Sequence, residues 1–215
     1  MNTPGPSGPE KTRLALIQAA KELFGRRGFD STTVKEIADL AGVNVSLVSY
    51  HYKGKEGIYR ACFEHYGQDR LEATKRILGT EPTSLEEVRV RLSMFMDEFI
   101  MFQMNEPHVT RLLTREADVE NPLIEDIFSE LFIQIMKTLV EFILQAIKKG
   151  FLRKDADPLI IASGLFGALI SFVQRNWAAE KYFKMSLKDE KFRKHLIQQM
   201  MSIYFHGLLP VEGKK

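Results

Sequence analysis

Apolar residues recur at steps of three and four along almost the whole chain, and nowhere do they alternate with polar residues for long. That is the period of helices buried on one side, not of strands. Between Thr12 and Arg27, Leu16, Ile17, Ala20, Leu23 and Phe24 share a face, and Gly28 ends the helix. Thr33 followed three residues later by Glu36 is a capping box that opens a short helix through Ala41. Gly42-Val43-Asn44 forms a tight turn, and Asn44 caps a second short helix, Val45 to His51. Gly54 precedes a longer helix that runs from Lys55 to about Ile77.

The same punctuation continues. Ser84 with Glu87 repeats the capping box, and Leu85, Val88, Leu92, Phe95, Phe99 and Phe102 then form one continuous stripe. A shorter helix follows from Asn105 to about Glu116. Asn121-Pro122 and Asp157-Pro158 each place a capping side chain before a proline at the first helical position, and Gly150 closes the helix begun at Asn121. Ser186 opens a last helix ending at His206, with Gly207 and Pro210 beyond it. The pattern predicts nine helices and no strand, hence an all-α fold.

The segment Thr32 to Glu56 carries the most specific information. Two short helices joined by a glycine-containing turn make a helix-turn-helix. Val34, Ile37, Ala38, Ala41, Val43, Val48 and Tyr52 can face inward against Leu23, Phe24 and Phe29. That leaves Val45, Ser46, Leu47, Ser49, Tyr50 and His51 on the outside, short or aromatic rather than charged. Such a face suits a helix laid in a major groove, where side chains meet base edges and thymine methyls.

The run Phe24-Gly25, Gly28-Phe29, Thr32-Thr33-Val34, Ile37-Ala38, Ala41-Gly42-Val43, Tyr50-His51-Tyr52 and Lys55-Glu56 resembles the N-terminal domain of the TetR family. The resemblance implies that Thr33 on one side of the groove, and Tyr50, His51 and Lys55 on the other, hold phosphates. It implies that Val45, Ser46 and Leu47 read bases, with Asn44 and Ser49 beside them. Leu47 stands where that family often has Thr and Ser49 where it often has Tyr, so an operator sequence does not carry over.

Past Lys55 the signal is compositional. Met94, Phe95, Met96, Phe99, Met101, Phe102 and Met104 lie within eleven residues, and Phe128, Phe132, Met136, Phe142, Phe166 and Phe172 follow. Flexible thioethers and aromatic rings suit an adaptable apolar pocket, and the resemblance implies an effector cavity among these helices. The expected lining is Phe95, Phe99, Phe102, Phe128 and Phe132, with His108, Arg111 and Arg115 as polar groups. Ser163, Gly167 and Ser171, spaced by four, let another helix approach closely, and Leu196 and Met200 lie on an apolar stripe of the last helix. The resemblance implies that these two helices pair with their symmetry mates in a homodimer.

Charge sharpens this division. The chain of 215 residues has a net charge of +2, but residues 1–60 hold nine Lys/Arg against six Asp/Glu. The basic excess therefore sits in the segment that carries the helix-turn-helix. Cys62 is the single cysteine, which suits a reducing, cytoplasmic setting. The longest uncharged run, Pro158 to Gln174, has 17 residues and contains Ser, Gly and Gln, so a buried helix is expected and no membrane span. No nucleophile elbow, phosphate-cradling glycine loop or metal-ligand spacing occurs, so no catalytic residue, metal or cofactor is expected.

The expected organisation is a flexible stretch at 1–9, a DNA-binding head at 10–56 and a larger ligand-binding and dimerisation body at 57–215. The expected function is a regulator, a repressor released from a double-stranded DNA operator by a small hydrophobic effector. The alternative is a body that binds a protein partner instead.

Overall fold

Thr33 shows how local chemistry sets the boundaries of these elements. Its backbone is extended, its hydroxyl accepts from the Glu36 amide, and the Glu36 carboxylate accepts from the Thr33 amide. This reciprocal pair starts α2 (Val34–Ala41), and Gly42 ends it with φ of 68°, a left-handed conformation that glycine adopts without a Cβ clash. The computed structural model describes residues 8–116 and 121–208. Before α2 lies α1 (Gly8–Arg27), which begins four residues ahead of the expected start. Gly8 and Pro9 are therefore helical, a first-turn proline giving up no helical hydrogen bond. The rest of the expected flexible stretch lies outside the described residues.

After Gly42, the Asn44 Oδ1 accepts from both the amide and the hydroxyl of Ser46, and α3 runs over Ser46–Tyr52. Next come α4 (Lys55–Leu78), α5 (Leu85–Asn105) and α6 (Pro107–Glu116). The expected helix from Asn121 to Gly150 is shorter and broken. Asn121 does accept from the Leu123 amide, but a turn follows, and α7 (Glu125–Ile127) passes through a π-helical turn at Phe128–Phe132 into α8 (Ile133–Lys148). Asp157 caps α9 (Pro158–Gln174) through the Leu159 and Ile160 amides, as its sequence signal predicts. A second π turn, Ala179–Phe183, follows α10 (Asn176–Ala178). The last helix, α11 (Glu190–Leu208), starts later than expected. The Ser186 hydroxyl accepts from the Lys188 amide, ahead of the helix, while the Asp189 carboxylate accepts from the Lys191 and Phe192 amides and is the working cap. The fold is all-α. Among the described residues, nine helices have seven residues or more, and none is by itself long and apolar enough to cross a membrane.

The helices form two compact units. The first comprises the described residues up to Gln68 together with those between Glu106 and Leu131. The division thus falls inside α4, past the expected boundary after Glu56, and the first unit also takes α6, which the linear order of the chain assigns to the body. The physical reason is packing: α1 lies against both α2 and α6. Leu16, Ala20, Phe24, Ile37, Ala38, Val48, Ile58, Phe63, Val109 and Leu112 are buried here. Phe24 and Phe29 both meet the ring of Tyr59, at 5.0 and 4.7 Å between centroids. The Tyr52 hydroxyl donates to the Arg13 carbonyl at 2.8 Å, tying the end of α3 to α1.

The second unit comprises Asp69–Asn105 and the described residues from Phe132 onward. Here α5 packs on α9 and α11, and α8 packs on α9. Val88, Leu92, Phe95, Phe99, Leu139, Phe142, Leu165 and Leu169 form the centre of its core. The buried Arg193 of α11 donates through Nε to Asp97 of α5 and through Nη1 to the Leu187 carbonyl.

Within the first unit, α1 and α6 come close together at Gly25, where an added Cβ would lie 2.5 Å from the carbonyl oxygen of His108. A backbone atom cannot swing aside as a flexible side chain can. Gly25→Ala is therefore expected to cost about 1–3 kcal/mol through overpacking, measured as a lower urea midpoint. An unchanged midpoint would show that α6 yields freely at this contact.

Candidate nucleic-acid interface

The helix-turn-helix is fixed from behind by its apolar residues. Ile37, Ala38 and Val48 are fully buried, and Tyr52 is pinned by the bond described above. This leaves Val45, Ser46, Ser49 and Tyr50 exposed on α3, with Tyr50 79% exposed, while Leu47 and His51 are half-buried. The Tyr50 and His51 rings meet edge to face at 4.9 Å. An exposed tyrosine and two small hydroxyl residues on a two-turn helix can donate to and accept from base edges without the steric bulk of long side chains.

The cap residues are more committed. The Thr33 hydroxyl donates to Glu36 Oε2, and Arg27 closes on the same carboxylate at 2.7 Å. The hydrogen bonds from Thr33, backbone first, hold the Glu36 carboxyl below its ordinary range, with Arg27 adding to the effect. Asn44 uses its Oδ1 to cap α3, which leaves its Nδ2 hydrogens outside that interaction. Lys55 donates to the Asp30 carbonyl at 3.3 Å and sits 4.3 Å from the Phe29 ring centroid, so it also serves the internal packing.

The eight residues expected at an effector site do not form one group within either unit. Phe95 and Phe99 are buried on α5, with Phe102 half-buried beyond them. Phe99 meets Phe166 edge to face at 5.0 Å. His108, Arg111 and Arg115 belong to α6 in the first unit. There Arg111 donates to the Pro107 carbonyl and Arg115 to the Phe24 carbonyl, so these arginines help hold the local backbone. Burial, then the neighbouring Arg111, pushes the His108 imidazole below its ordinary pKa. Phe128 and Phe132 open and close the first π turn, Phe128 exposed and Phe132 half-buried.

Of the residues expected at a dimer interface, Ser163 and Gly167 are exposed and Ser171 is half-buried. Leu196 and Met200 are not on an outer face. Both are buried in the core of their own unit, because α5 takes up that stripe of α11. Among the described side chains of α11, the large exposed hydrophobic one is Ile203, at 72%.

Residues 16–62 match the model of the family described as "Bacterial regulatory proteins, tetR family". Over this segment the chain is similar to the TetR family. It is 32% identical over 120 residues to the probable HTH-type transcriptional regulator YttP of Bacillus subtilis, a match spanning 55% of this chain and 56% of that protein. The chain thus covers little more than half the length of that relative. The HTH-type transcriptional repressor KstR2 of Mycolicibacterium smegmatis is 24% identical over 214 residues, spanning 98% of this chain and 97% of its own. Among solved structures, the transcriptional regulator FadR from Bacillus subtilis in complex with stearoyl-CoA superposes with a TM-score of 0.70 at 16% sequence identity, covering 89% of this chain and 97% of that one. That likeness concerns the fold.

Three residues carry a signal that the apolar pattern alone did not single out. Lys35 and Lys53 are exposed cations flanking the two short helices, visible only once the outer face is known. Lys53 also holds φ at 62°, and Gly54 follows at 114°. The third is Arg70, buried on α4, which in a sequence reads as a solvated helix position. Cys62 is buried, and desolvation pushes its thiol up to about 12, so the reactive thiolate is disfavoured.

The stability of the first unit should report on the α2 cap. Thr33→Ala removes the α2 cap and is expected to cost about 1 kcal/mol. Because Thr33 holds the Glu36 pKa below its ordinary 4.5, the carboxylate's stabilisation is full above that value and is lost as pH falls below it. The variant should therefore lose stability at neutral pH and show a weaker acid dependence. Denaturation midpoints at neutral and acid pH check this, and an identical loss at both would show that Glu36 takes no part.

Proposed function

We propose that this chain is a DNA-binding transcriptional regulator of the TetR family, a repressor released from its operator when a small hydrophobic effector binds the body. The observation that carries the reading is the exposed strip Val45, Ser46, Ser49 and Tyr50, presented by a short helix whose opposite face is pinned to α1. The relatives named above support it, one being a repressor and another a regulator crystallised with an acyl-CoA. In this reading residues 10–56 hold the DNA, and the chain from 57 onward holds the effector and the second subunit. The effector releases DNA because it binds the released form more tightly than the bound one.

A homodimer would place two copies of α3 in successive major grooves, about 34 Å apart on one face of the duplex. Support for the second subunit comes from α9. Leu159, Ile160 and Phe172 are exposed there beside Ser163, Gly164 and Gly167. A Cβ added at Gly167 would meet nothing within 4 Å in its own chain, so nothing in the protomer demands a small residue at that position.

Two measurements test this reading. Selection of duplexes from a random library by the full-length protein should enrich an inverted repeat. Ser46→Ala should change the preferred bases, and Tyr50→Ala should weaken binding by about 1–3 kcal/mol without lowering the melting temperature. A library that shows no enrichment would sink the DNA-binding reading.

The dimer is tested separately by Gly167→Leu. The protomer has room for the larger side chain, so its fold should persist while association weakens by about 1–3 kcal/mol through overpacking at the interface. Light scattering at micromolar concentration reads the mass. A wild type that is monomeric there, or a Gly167→Leu variant as dimeric as the wild type, would count against this surface.

A further inference from the structure

Arg70 is the most deeply buried charged side chain described, 2% exposed on α4. Its guanidinium carbon lies 5.3 Å from the Phe99 ring centroid and 4.7 Å from that of Phe102. Its Nη1 donates to Glu98 Oε2, with a second, longer approach to the Glu98 carbonyl. Its Nη2 is buried and makes no hydrogen bond. The Arg70 carbonyl accepts from the Thr74 hydroxyl one turn later. Helix α4 therefore places a cation between aromatic rings, pairs one end of it, and leaves two N–H donors without an acceptor.

Buried donors of this kind are rare because each forfeits its hydrogen bonds to water. Arginine presents its donors in a planar fork, so the free pair has a fixed direction. The charge count decides which acceptor suits it. Glu98 already balances the charge of Arg70, and a second anion would leave the buried group with a net negative charge, which is costly away from water. An uncharged acceptor keeps the group neutral while satisfying Nη2.

We propose that Arg70 is the specificity-determining residue of the effector site and that it selects an uncharged carbonyl group, a ketone, ester or thioester, over a free carboxylate. The apolar part of the same molecule lies against Phe99 and Phe102. This rests on the reading of the body as an effector-binding unit and deepens it. Specificity follows from the geometry. A molecule without an acceptor leaves Nη2 unsatisfied, and a carboxylate competes with Glu98 for a single cation.

The experiment uses two matched sets of probes on the full-length protein. One set is linear: 2-decanone, decanoate and decane. The other is aromatic: 2-acetylnaphthalene, 2-naphthoate and 2-ethylnaphthalene. Binding is read by thermal shift and calorimetry. In at least one set the carbonyl compound should bind about tenfold or more tightly than either its carboxylate or its hydrocarbon. The variant pair Arg70→Met with Glu98→Gln removes cation and anion together, so that no charge is left unpaired. In this double variant the carbonyl and the hydrocarbon should bind alike, with the hydrocarbon's own affinity retained. Should the double variant fail to fold, Glu98→Gln alone serves. Freed from competition, Arg70 should then bind the carboxylate about tenfold more tightly than the wild type does.

Hydrocarbon binding with no preference for the carbonyl would overturn the role of Arg70 while leaving the effector reading in place. A preference for the carboxylate in the wild type would overturn it too. No binding by any of the six probes would overturn the effector reading and this proposal together.

Discussion

Everything in the first unit depends on the burial of α1 on more than one side. Its residues Leu16, Ala20 and Phe24 are fully covered, and two helices distant in sequence, α2 and α6, share it as a support. The Tyr52 hydroxyl reaches the backbone of α1 at Arg13, and the Phe24 ring meets Tyr59 at the start of α4. Helix α3 has only seven residues, too few to be stable alone. Its position is thus inherited from α1, and the glycine at 25 is the concession that lets α6 come close enough to complete the unit.

Where the chain states its boundaries through local chemistry, they are legible. Thr33 with Glu36 and Asp157 before Pro158 each act through side chains and amides within three residues of one another, and both are where the pattern places them. The elements that escaped the pattern depend on contacts distant in sequence. Nothing local distinguishes a π turn at Phe128–Phe132 from a continuous helix, since it adds one residue to a turn whose composition is ordinary. Ser186 and Asp189 both look like caps, and only the path of the chain decides between them.

The candidate sites divide in the same way. The outward strip of α3 was legible because the inward one is unmistakably apolar. Leu196 and Met200 were misplaced because α11 is apolar on more than one face, and periodicity does not say which face meets the protein's own core. Arg70 was invisible for a related reason. A lone arginine in an amphipathic helix signals solvent unless the neighbours of its side chain are known, and here they are Phe99, Phe102 and Glu98. Helix α5 deals with two cations through successive residues, Asp97 for Arg193 of α11 and Glu98 for Arg70 of α4. Consecutive positions on a helix point about 100° apart, so one helix anchors two others through charges that would each be costly to bury unpaired.

The two left-handed residues after α3 have a consequence for how much the protein can know about its target. Lys53 and Gly54 hold φ at 62° and 114°, and neither conformation continues a helix, so α3 stops after two turns. A helix of that size is about 10 Å long, roughly the rise of three base pairs along a duplex strand. Three base pairs distinguish about 64 sequences, far below the roughly 10⁶–10⁹ competing sites of a genome. In the proposed DNA-binding reading, one copy of this chain therefore holds too little information to find an address. In the proposed reading the vocabulary of a single α3 is a syllable, and meaning would come from how far apart, and in what orientation, a second copy speaks the next one.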